Sequence, residues 1–300
     1  MLGAWLSFLA CCERKKITKM ETMLLNNSSR FVLLPLHYPD IWSMYKRAEM
    51  TLWTAECYDY SPPLLYPESI NKMITGLLYM NDEISNRYTV EMSQEFQVTE
   101  VRCFLGFKQS VQNTHMEVYS GLLGVETMDN GIREKLEWIK SHGCPDRNNI
   151  QERVVSCAVA ESILYSGIAC CAFWLKRRGI YFKTFNLIHD DKLLQRDFMF
   201  VLHENLDHKL DQTRIHEIIK SAIKVEEDYI ENVLKPNDYG LDKIKVMDYI
   251  KYCGNKLCLS FHVDTIYKMD RNPLDWVPSR FLVYIKPKGE DHKEEGEEDF

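Results

Sequence analysis

One long apolar run limits the folds that this chain can adopt. It extends from Val154 to Leu175 and reads VVSCAVAESILYSGIACCAFWL. Its length suits a membrane-spanning helix, which needs about 20 apolar residues. Glu161 lies inside the run, however, and an ionisable group at the centre of a bilayer is costly. A helix that is apolar on all sides also occurs in the core of a large protein. We therefore predict a buried core helix and no membrane association.

The other long segments repeat apolar residues with the period of an α-helix, and strand patterns are sparse. The first predicted helix lies in YPDIWSMYKRAEMTLWTAECYDY (38–60), with Asp40 after Pro39 as a candidate N-cap and Asp59 at its end. Further helices are predicted over residues 68–91, 98–123, 131–141, 151–178, 187–206, 213–234 and 241 to about 268. No linker divides them. The sequence therefore predicts one all-α domain, a large helical bundle over residues 28–288.

The two ends of the chain differ from this body. Residues 1–27 open with the short apolar stretch MLGAWLSFLACC. A signal peptide usually has basic residues before its apolar stretch, and none stand there in this chain. We predict a poorly ordered leader there. Residues 289–300 hold seven carboxylates, one lysine and a terminal Phe300. Such a segment cannot bury enough apolar surface to fold, so we predict a disordered acidic tail.

Charge and cysteine usage limit the possible functions. Of the formal net charge of −7, −6 lies in the last twelve residues, which leaves −1 for the remainder. The chain therefore lacks the basic excess of a non-specific nucleic-acid binder. Its ten cysteines are scattered without a Cys-x-x-Cys pair. This usage is typical of reduced thiols, so we predict a cytoplasmic protein without a zinc site.

Polar side chains fall on the otherwise apolar inward faces of several predicted helices. Bundles that hold two metal ions are built in this way, with single carboxylates on two helices and Glu-x-x-His on two others. Polar pairs at this spacing are also common in ordinary helices. A metal site and a hydrogen-bonded core therefore both stay open at this point. The inward polar residues are Asp59, Gln112, His115, Glu161, Lys192 and Gln195.

An ordered series of motifs resembles the small subunit of class I ribonucleotide reductase, the radical-generating subunit. The resemblance covers roughly residues 28–300. Its motifs are RFVLLPLHYPDIWSMYKRAEMTLWTAE (30–56), EFQVTEVRCFLGF (95–107), HMEVYS (115–120), ERVVSCAVAESILYSG (152–167), FWLKRRG (173–179), NPLDW (272–276) and the terminal Phe300. The resemblance implies a ferritin-like fold.

The resemblance also implies a di-iron centre in this class of subunit. Three of its metal ligands are matched here by Asp59, His115 and Glu161. The other three ligand positions are substituted, and they carry Gln112, Lys192 and Gln195. An ammonium group supplies no oxygen donor to a hard cation. We therefore expect iron to be absent or partial, and Lys192 to be buried and paired with Glu161 or Asp59.

Further roles in the family are matched by single residues. Tyr119 stands at the position of the radical tyrosine, although it is also an ordinary candidate for the core. Trp53 and Asp191 match the radical-transfer positions, and Tyr284 matches the peripheral tyrosine; Trp53 and Asp191 could equally be kept for packing and capping. Phe300 matches the terminal residue that docks into the large subunit.

The resemblance and the substitutions together predict a small-subunit homologue in deoxyribonucleotide biosynthesis, and so in DNA replication. We expect an impaired oxidoreductase, a pseudoenzyme, that serves as a structural partner. It would form a homo- or heterodimer with another small subunit, or bind the large subunit through its tail. The alternative is a working small subunit with a reduced metal site on Asp59, His115 and Glu161. A decaying gene copy is a third reading, and metal analysis separates the first two.

Overall fold

The structure, a computed structural model, describes residues 21–26, 31–57, 68–122, 130–179, 184–234, 240–278 and 280, and the regular elements in these ranges are helical. Asp59, Tyr284, Phe300, most of the predicted leader and the predicted tail lie outside the described residues. Numbered in chain order, the α-helices are α1 Pro39–Glu49, α2 Glu68–Ile84, α3 Glu91–Glu95, α4 Thr99–Leu122, α5 Asn130–Gly143, α6 Ile150–Arg177, α7 Phe185–Asn205, α8 Gln212–Val233 and α9 Lys243–Ser260.

Helix α6 is the central element of the bundle, and it contains the long apolar run. Asn149 caps its start by accepting a hydrogen bond from the backbone N–H of Glu152, and Gly179, with φ +77°, follows its end. Its sides pack against α5, α7, α8 and α9. By length and composition α6 could span a membrane, but its most apolar stretch is buried entirely inside the described part of the protein. This burial agrees with the predicted core helix.

A buried ion pair forms hydrogen bonds with the backbone of α6. Lys135 of α5 and Glu226 of α8 lie 2.5 Å apart, and both are fully buried. Lys135 donates to the carbonyl of Leu164, and the N–H of Gly167 donates to Glu226 Oε1 at 3.0 Å. The pair therefore ties α5 and α8 to the middle of α6, where a glycine lets the carboxylate approach.

Helix α1 differs from the prediction at both ends: it stops at Glu49, well before the predicted end near residue 59, and its start is also different. Tyr38 is the N-cap and Pro39 is the first helical residue, a position that suits proline because its missing N–H would be unpaired there. The predicted N-cap Asp40 lies inside the first turn. Its Oδ2 accepts a hydrogen bond from Asn205 Nδ2 at 2.6 Å, so Asp40 joins α1 to the end of α7.

Helix α9 ends at Ser260, and its predicted continuation to about residue 268 was wrong. His262 adopts a left-handed conformation with φ 58°, and the N–H groups of His262 and Val263 bond back to Leu259 and Cys258. These two bonds form the usual reversal at a helix C-terminus. The side chain of Asn255 then holds the following loop by accepting from the N–H groups of Ile266 and Tyr267.

Helix α2 continues through a π-helical turn, Ser85–Val90, directly into α3. The wider turn brings two of its hydroxyl groups onto α4. Ser85 donates to Gln109 Oε1, and Thr89 donates to Gln112 Oε1 at 2.9 Å. The predicted single helix over 68–91 is therefore extended to Glu95, and its π turn fixes one of the inward polar side chains of α4.

Candidate functional site

Three helices present buried polar side chains to a common interior region. Helix α6 packs along α7, and α4 faces both of them. Each polar group listed here is at most 6 % exposed, so water does not screen their mutual interactions. The residues are Lys108, Gln112, His115 and Tyr119 on α4, Cys157, Glu161 and Tyr165 on α6, and Asp191, Lys192 and Gln195 on α7.

One carboxylate at this site is shared by two lysines. Lys108 Nζ lies 2.8 Å from Glu161 Oε1, and Lys192 Nζ lies 2.8 Å from Glu161 Oε2. Lys108 also approaches the Cys157 thiol at 3.5 Å. The expected pairing of Lys192 with Glu161 is confirmed. Lys108 is a second partner that the sequence analysis did not identify.

The charges in this lysine–glutamate–lysine triad stabilise one another. Burial alone would raise the pKa of Glu161, but the ammonium groups of Lys108 and Lys192 outweigh it and lower that pKa to about 2. Burial would lower the pKa of Lys108, and the neighbouring Cys157 and Glu161 reverse this, so its pKa is raised. Burial raises the pKa of the Cys157 thiol to about 11. The triad therefore contains a carboxylate and two ammonium groups at neutral pH.

A second cluster joins Trp53, His115 and Asp191. Asp191 Oδ2 accepts from Trp53 Nε1 at 2.8 Å and lies 2.9 Å from His115 Nε2. Burial lowers the pKa of His115 despite the nearby Asp191 carboxylate, so the ring is neutral at pH 7. Because a carboxylate only accepts hydrogen bonds, Nε2 carries the proton and Nδ1 is left as an acceptor. Within the described residues Nδ1 is buried and has no hydrogen-bond partner.

Tyr119 lies one turn beyond His115, with 6.2 Å between the ring centroids. The tyrosine is fully buried, and burial raises the pKa of its phenol well above the usual value. Its hydroxyl has no hydrogen-bond partner among the described residues. Tyr119 is thus a neutral phenol in an apolar setting, a description that fits both a core tyrosine and the radical position.

The two glutamine substitutions are buried but do not join the triad. Gln112 Oε1 accepts from Thr89, and its backbone carbonyl accepts from Asn81 Nδ2. Gln195 is 3 % exposed, and its Oε1 has no partner in the described part of the chain. The structure therefore brings together Glu161 with Lys192, and Trp53 with His115 and Asp191. Gln112 and Gln195 line the same interior as neutral amides.

Lys108 could have been found from its spacing. Phe104, Lys108, Val111 and His115 follow one another at intervals of four, three and four, so they share one face of α4. A lysine on that face is as unusual as one at position 192. It was missed because it lies outside the positions that the resemblance assigns to ligands.

The donor set does not fit a di-iron centre. Four carboxylates usually neutralise two metal ions in this kind of bundle. Here both oxygens of Glu161 are engaged by lysines, and two ligand positions hold neutral amides. No group of three metal-ligating side chains occurs within the ranges that the structure describes. The unpaired Nδ1 of His115 is the one feature here that suits a metal, and Asp59, its expected neighbour, lies outside those ranges.

The bundle and its inward-facing site define a ferritin-like helical protein. The family model for the ribonucleotide reductase small chain matches residues 30–273, and the chain belongs to that family. It is 36 % identical to the ribonucleoside-diphosphate reductase small chain of Spisula solidissima, over 92 % of this chain and 77 % of that one. It is 32 % identical to the subunit M2 of Homo sapiens, over 86 % of this chain and 72 % of that one.

Solved structures agree with this assignment. The Rnr4 homodimer of Saccharomyces cerevisiae matches with a TM-score of 0.74 and 25 % identity, over 93 % of this chain and 96 % of that chain. The dimanganese(II) NrdF of Streptococcus sanguinis matches with a TM-score of 0.66, over 81 % of this chain and 97 % of that chain; at 12 % identity it shows the fold alone. The chain is thus a small-subunit homologue in deoxyribonucleotide synthesis, and the implied ferritin-like fold is confirmed.

Proposed function

We propose that this chain is a small subunit without a radical centre, which acts as a structural partner of an active small subunit or of the large subunit. The observation that carries the proposal is the shared carboxylate: the two oxygens of Glu161 each lie 2.8 Å from an ammonium group, one of Lys108 and the other of Lys192. Lys192 stands at a ligand position where a metal site would need an oxygen donor, and Lys108 lies against the other oxygen of Glu161. The positive charge that holds this interior together is supplied by side chains.

The cluster of Trp53, His115 and Asp191 is compatible with a structural role. Asp191 accepts from the indole N–H of Trp53 and orients the imidazole of His115, so one carboxylate serves two side chains of the cluster. The same contacts match the radical-transfer positions of the family. Without a metal centre to oxidise Tyr119, they hold α4, α7 and the segment before Ala55 together.

Metal analysis tests the first part of the proposal. The purified full-length chain is loaded with iron(II) without oxygen, exposed to air, and assayed for iron and for a tyrosyl radical by electron paramagnetic resonance. An active small subunit, such as the human M2 relative, is loaded in parallel as the control. We expect the relative to give a radical and this chain to give none. Two irons per chain with a radical on Tyr119 would overturn the proposal.

One observation favours a second candidate function, a small subunit with a single metal. His115 Nδ1 is buried and unpaired among the described residues, as expected for a ligand nitrogen. The lysines withdraw Glu161 from the predicted three-residue site, which leaves His115 and Asp59. In the same assay, one tightly held metal per chain that is lost in a His115→Ala variant would establish this alternative.

The tail is the proposed contact with the large subunit. Phe300 would fill an apolar pocket while the seven neighbouring carboxylates attract a basic rim. Capture of a large subunit by the full-length chain should weaken with salt and be nearly lost when Phe300 is removed. A Phe300→Trp chain serves as the matched control because it keeps an aromatic anchor. Equal capture with and without Phe300 would leave pairing with another small subunit as the supported role.

A further inference from the structure

A basic and aromatic surface lies where α6 ends. Trp174, Arg177 and Arg178 stand at intervals of three and one, so their side chains lie on neighbouring parts of the last turn. Trp276, from the NPLDW motif, packs beside them with 5.3 Å between the centroids of the two indole rings. We call these four residues the arginine–tryptophan platform. None of them belongs to the buried site.

The guanidinium groups of the platform lie within cation–π distance of its rings. Arg177 lies 6.0 Å from the Trp174 ring centroid and 5.8 Å from that of Trp276, and Arg178 lies 4.9 Å from Trp174. The cation–π attraction favours a guanidinium near the ring, and its N–H groups can still donate to a carboxylate. Both arginines are exposed, and neither has a carboxylate within salt-bridge distance in the described ranges.

The helix dipole does not account for this arrangement. Basic residues in a last turn stabilise a helix through the partial negative charge of its carbonyl groups. That effect explains Arg177 as a charge, but it requires no aromatic ring beneath it. It also gives no reason for the position of Trp276, which is distant in the sequence and packs against Trp174. The platform has the chemistry of a surface that binds carboxylates.

The chain itself carries the complementary segment. Residues 289–300 hold seven carboxylates in twelve residues, and Gly289 follows Trp276 by 13 residues. An extended chain spans up to about 3.5 Å per residue, so 13 residues reach roughly 45 Å. The tail can therefore cover the platform in the same molecule. Because the two are joined, the tail is present at a high effective concentration.

We propose that the arginine–tryptophan platform binds the acidic C-terminal segment of the same chain. The carboxylates of residues 290–299 pair with the guanidinium groups of Arg177 and Arg178. The consequence for regulation rests on the proposed function, because a tail held on the platform must leave it before it can dock into a large subunit. The contact itself needs no large subunit.

Nuclear magnetic resonance of the isotope-labelled full-length chain tests the contact. The amide resonances of residues 290–299 are compared with those of a synthetic peptide of the same sequence. We expect the tail resonances of the chain to be shifted or broadened relative to the free peptide. In an Arg177→Ala, Arg178→Ala chain they should coincide with the peptide, and high salt should have the same effect on the native chain.

The matched control is an Arg102→Ala, Arg133→Ala chain, which loses two other exposed arginines. Its tail resonances should remain those of the native chain. Tail resonances that coincide with the free peptide in the native chain, or that ignore the loss of Arg177 and Arg178, overturn the proposal. Shifts that vanish on dilution would assign the contact to the tail of a second copy and also overturn it. Capture of the large subunit is measured separately, so failure of either experiment leaves the other informative.

Discussion

Glu161 has two partners, and this changes what each lysine contributes to stability. A buried carboxylate with no partner is strongly destabilising. With Lys108 on one oxygen and Lys192 on the other, removal of either lysine leaves a neutral pair. Glu161 then keeps one ammonium partner and is not left as an uncompensated charge. The two lysines should therefore be energetically coupled rather than independent.

This coupling can be measured with a double-mutant cycle. Lys108→Met and Lys192→Met should each lower the free energy of unfolding by about 1–3 kcal/mol, the value of a charged hydrogen bond. The double variant should lose more than the sum, because an isolated buried charge costs about 3–5 kcal/mol. Lys220→Met, on the exposed side of α8, is the control and should have almost no effect. Strictly additive losses in urea unfolding would show that the lysines do not share Glu161.

The acid sensitivity of the fold follows from the same carboxylate. The pKa of Glu161 falls from 4.5 to about 2 on folding, so its stabilising contribution is complete above about pH 4.5 and is lost as the pH falls towards 2. We expect a contribution of the order of 3 kcal/mol.

The test compares the native chain with a charge-free variant, Glu161→Gln with Lys108→Met and Lys192→Met. The native chain should lose unfolding free energy faster between about pH 5 and about pH 3. The comparison is repeated in a His115→Gln background, because Lys192 and Glu161 both act on the lowered pKa of His115 and its own effect in acid would otherwise differ between the two chains. Parallel pH profiles would contradict the low pKa of Glu161.

At this scale the sequence predicted part of the site. Glu161 and Lys192 could be placed on facing interior surfaces because helical period determines which side chains share a face. The distances could not, because they depend on how far apart α4, α6 and α7 pack. Lys108 shows the limit most clearly. A lysine stem is long enough to reach a carboxylate on a helix that the sequence does not mark as a neighbour.

At the scale of the elements, the packing of α6 against α8 leaves no space for a side chain at Gly167. A Cβ at Gly167 would lie 2.6 Å from Glu226 Oε1 and 2.6 Å from Ile230 Cγ1, and it would also meet Ile230 Cδ1. The Lys135–Glu226 pair occupies the space that a side chain would need. Neither α8 nor the ion pair can retreat without loss of a buried contact.

Gly167→Ala should therefore destabilise the protein despite the better helix propensity of alanine. We expect a loss of about 1–3 kcal/mol from overpacking. Gly106→Ala in α4 is the matched control, because its Cβ would meet nothing within 4 Å. That variant should gain roughly 0.5–1 kcal/mol. The measurement is thermal or urea unfolding of both variants, and a stabilised Gly167→Ala chain would show that α8 can move away.

The elements also show why the end of a helix is hard to predict. Apolar residues continue with helical spacing past Ser260, which led to the prediction of a longer α9. The chain instead reverses at His262, where the usual glycine is absent, and Asn255 secures the following loop from within α9. A side chain that bonds residues 11 to 14 positions ahead leaves no local pattern in the sequence.

For the whole molecule, the mismatch between the residues at this site and a di-iron centre predicts which substitutions would allow metal to bind. One triple variant places the family's ligand residues at the three substituted positions: Gln112→Glu, Lys192→Glu and Gln195→His. It leaves Lys108 paired with Glu161. It should bind little iron. Adding Lys108→Met should release Glu161 and allow loading, since ligands of a metal site act as a set.

Iron per chain, measured by elemental analysis after anaerobic loading, distinguishes the two variants. Lys108→Met in the native background is the control and should not bind iron, because the glutamines and Lys192 remain. Equal loading with and without Lys108→Met would show that Lys108 can swing away from the carboxylate.

The shared carboxylate also bears on how the maturation of the protein would respond to the supply of iron. A subunit whose interior charge is balanced by delivered iron can mature only as fast as that iron arrives. Here the balancing charges are synthesised with the chain, since Lys108 and Lys192 are translated together with Glu161. Under the proposed function its folding should therefore not depend on the supply of iron, and its folded abundance should be the same in iron-starved cells as in replete ones.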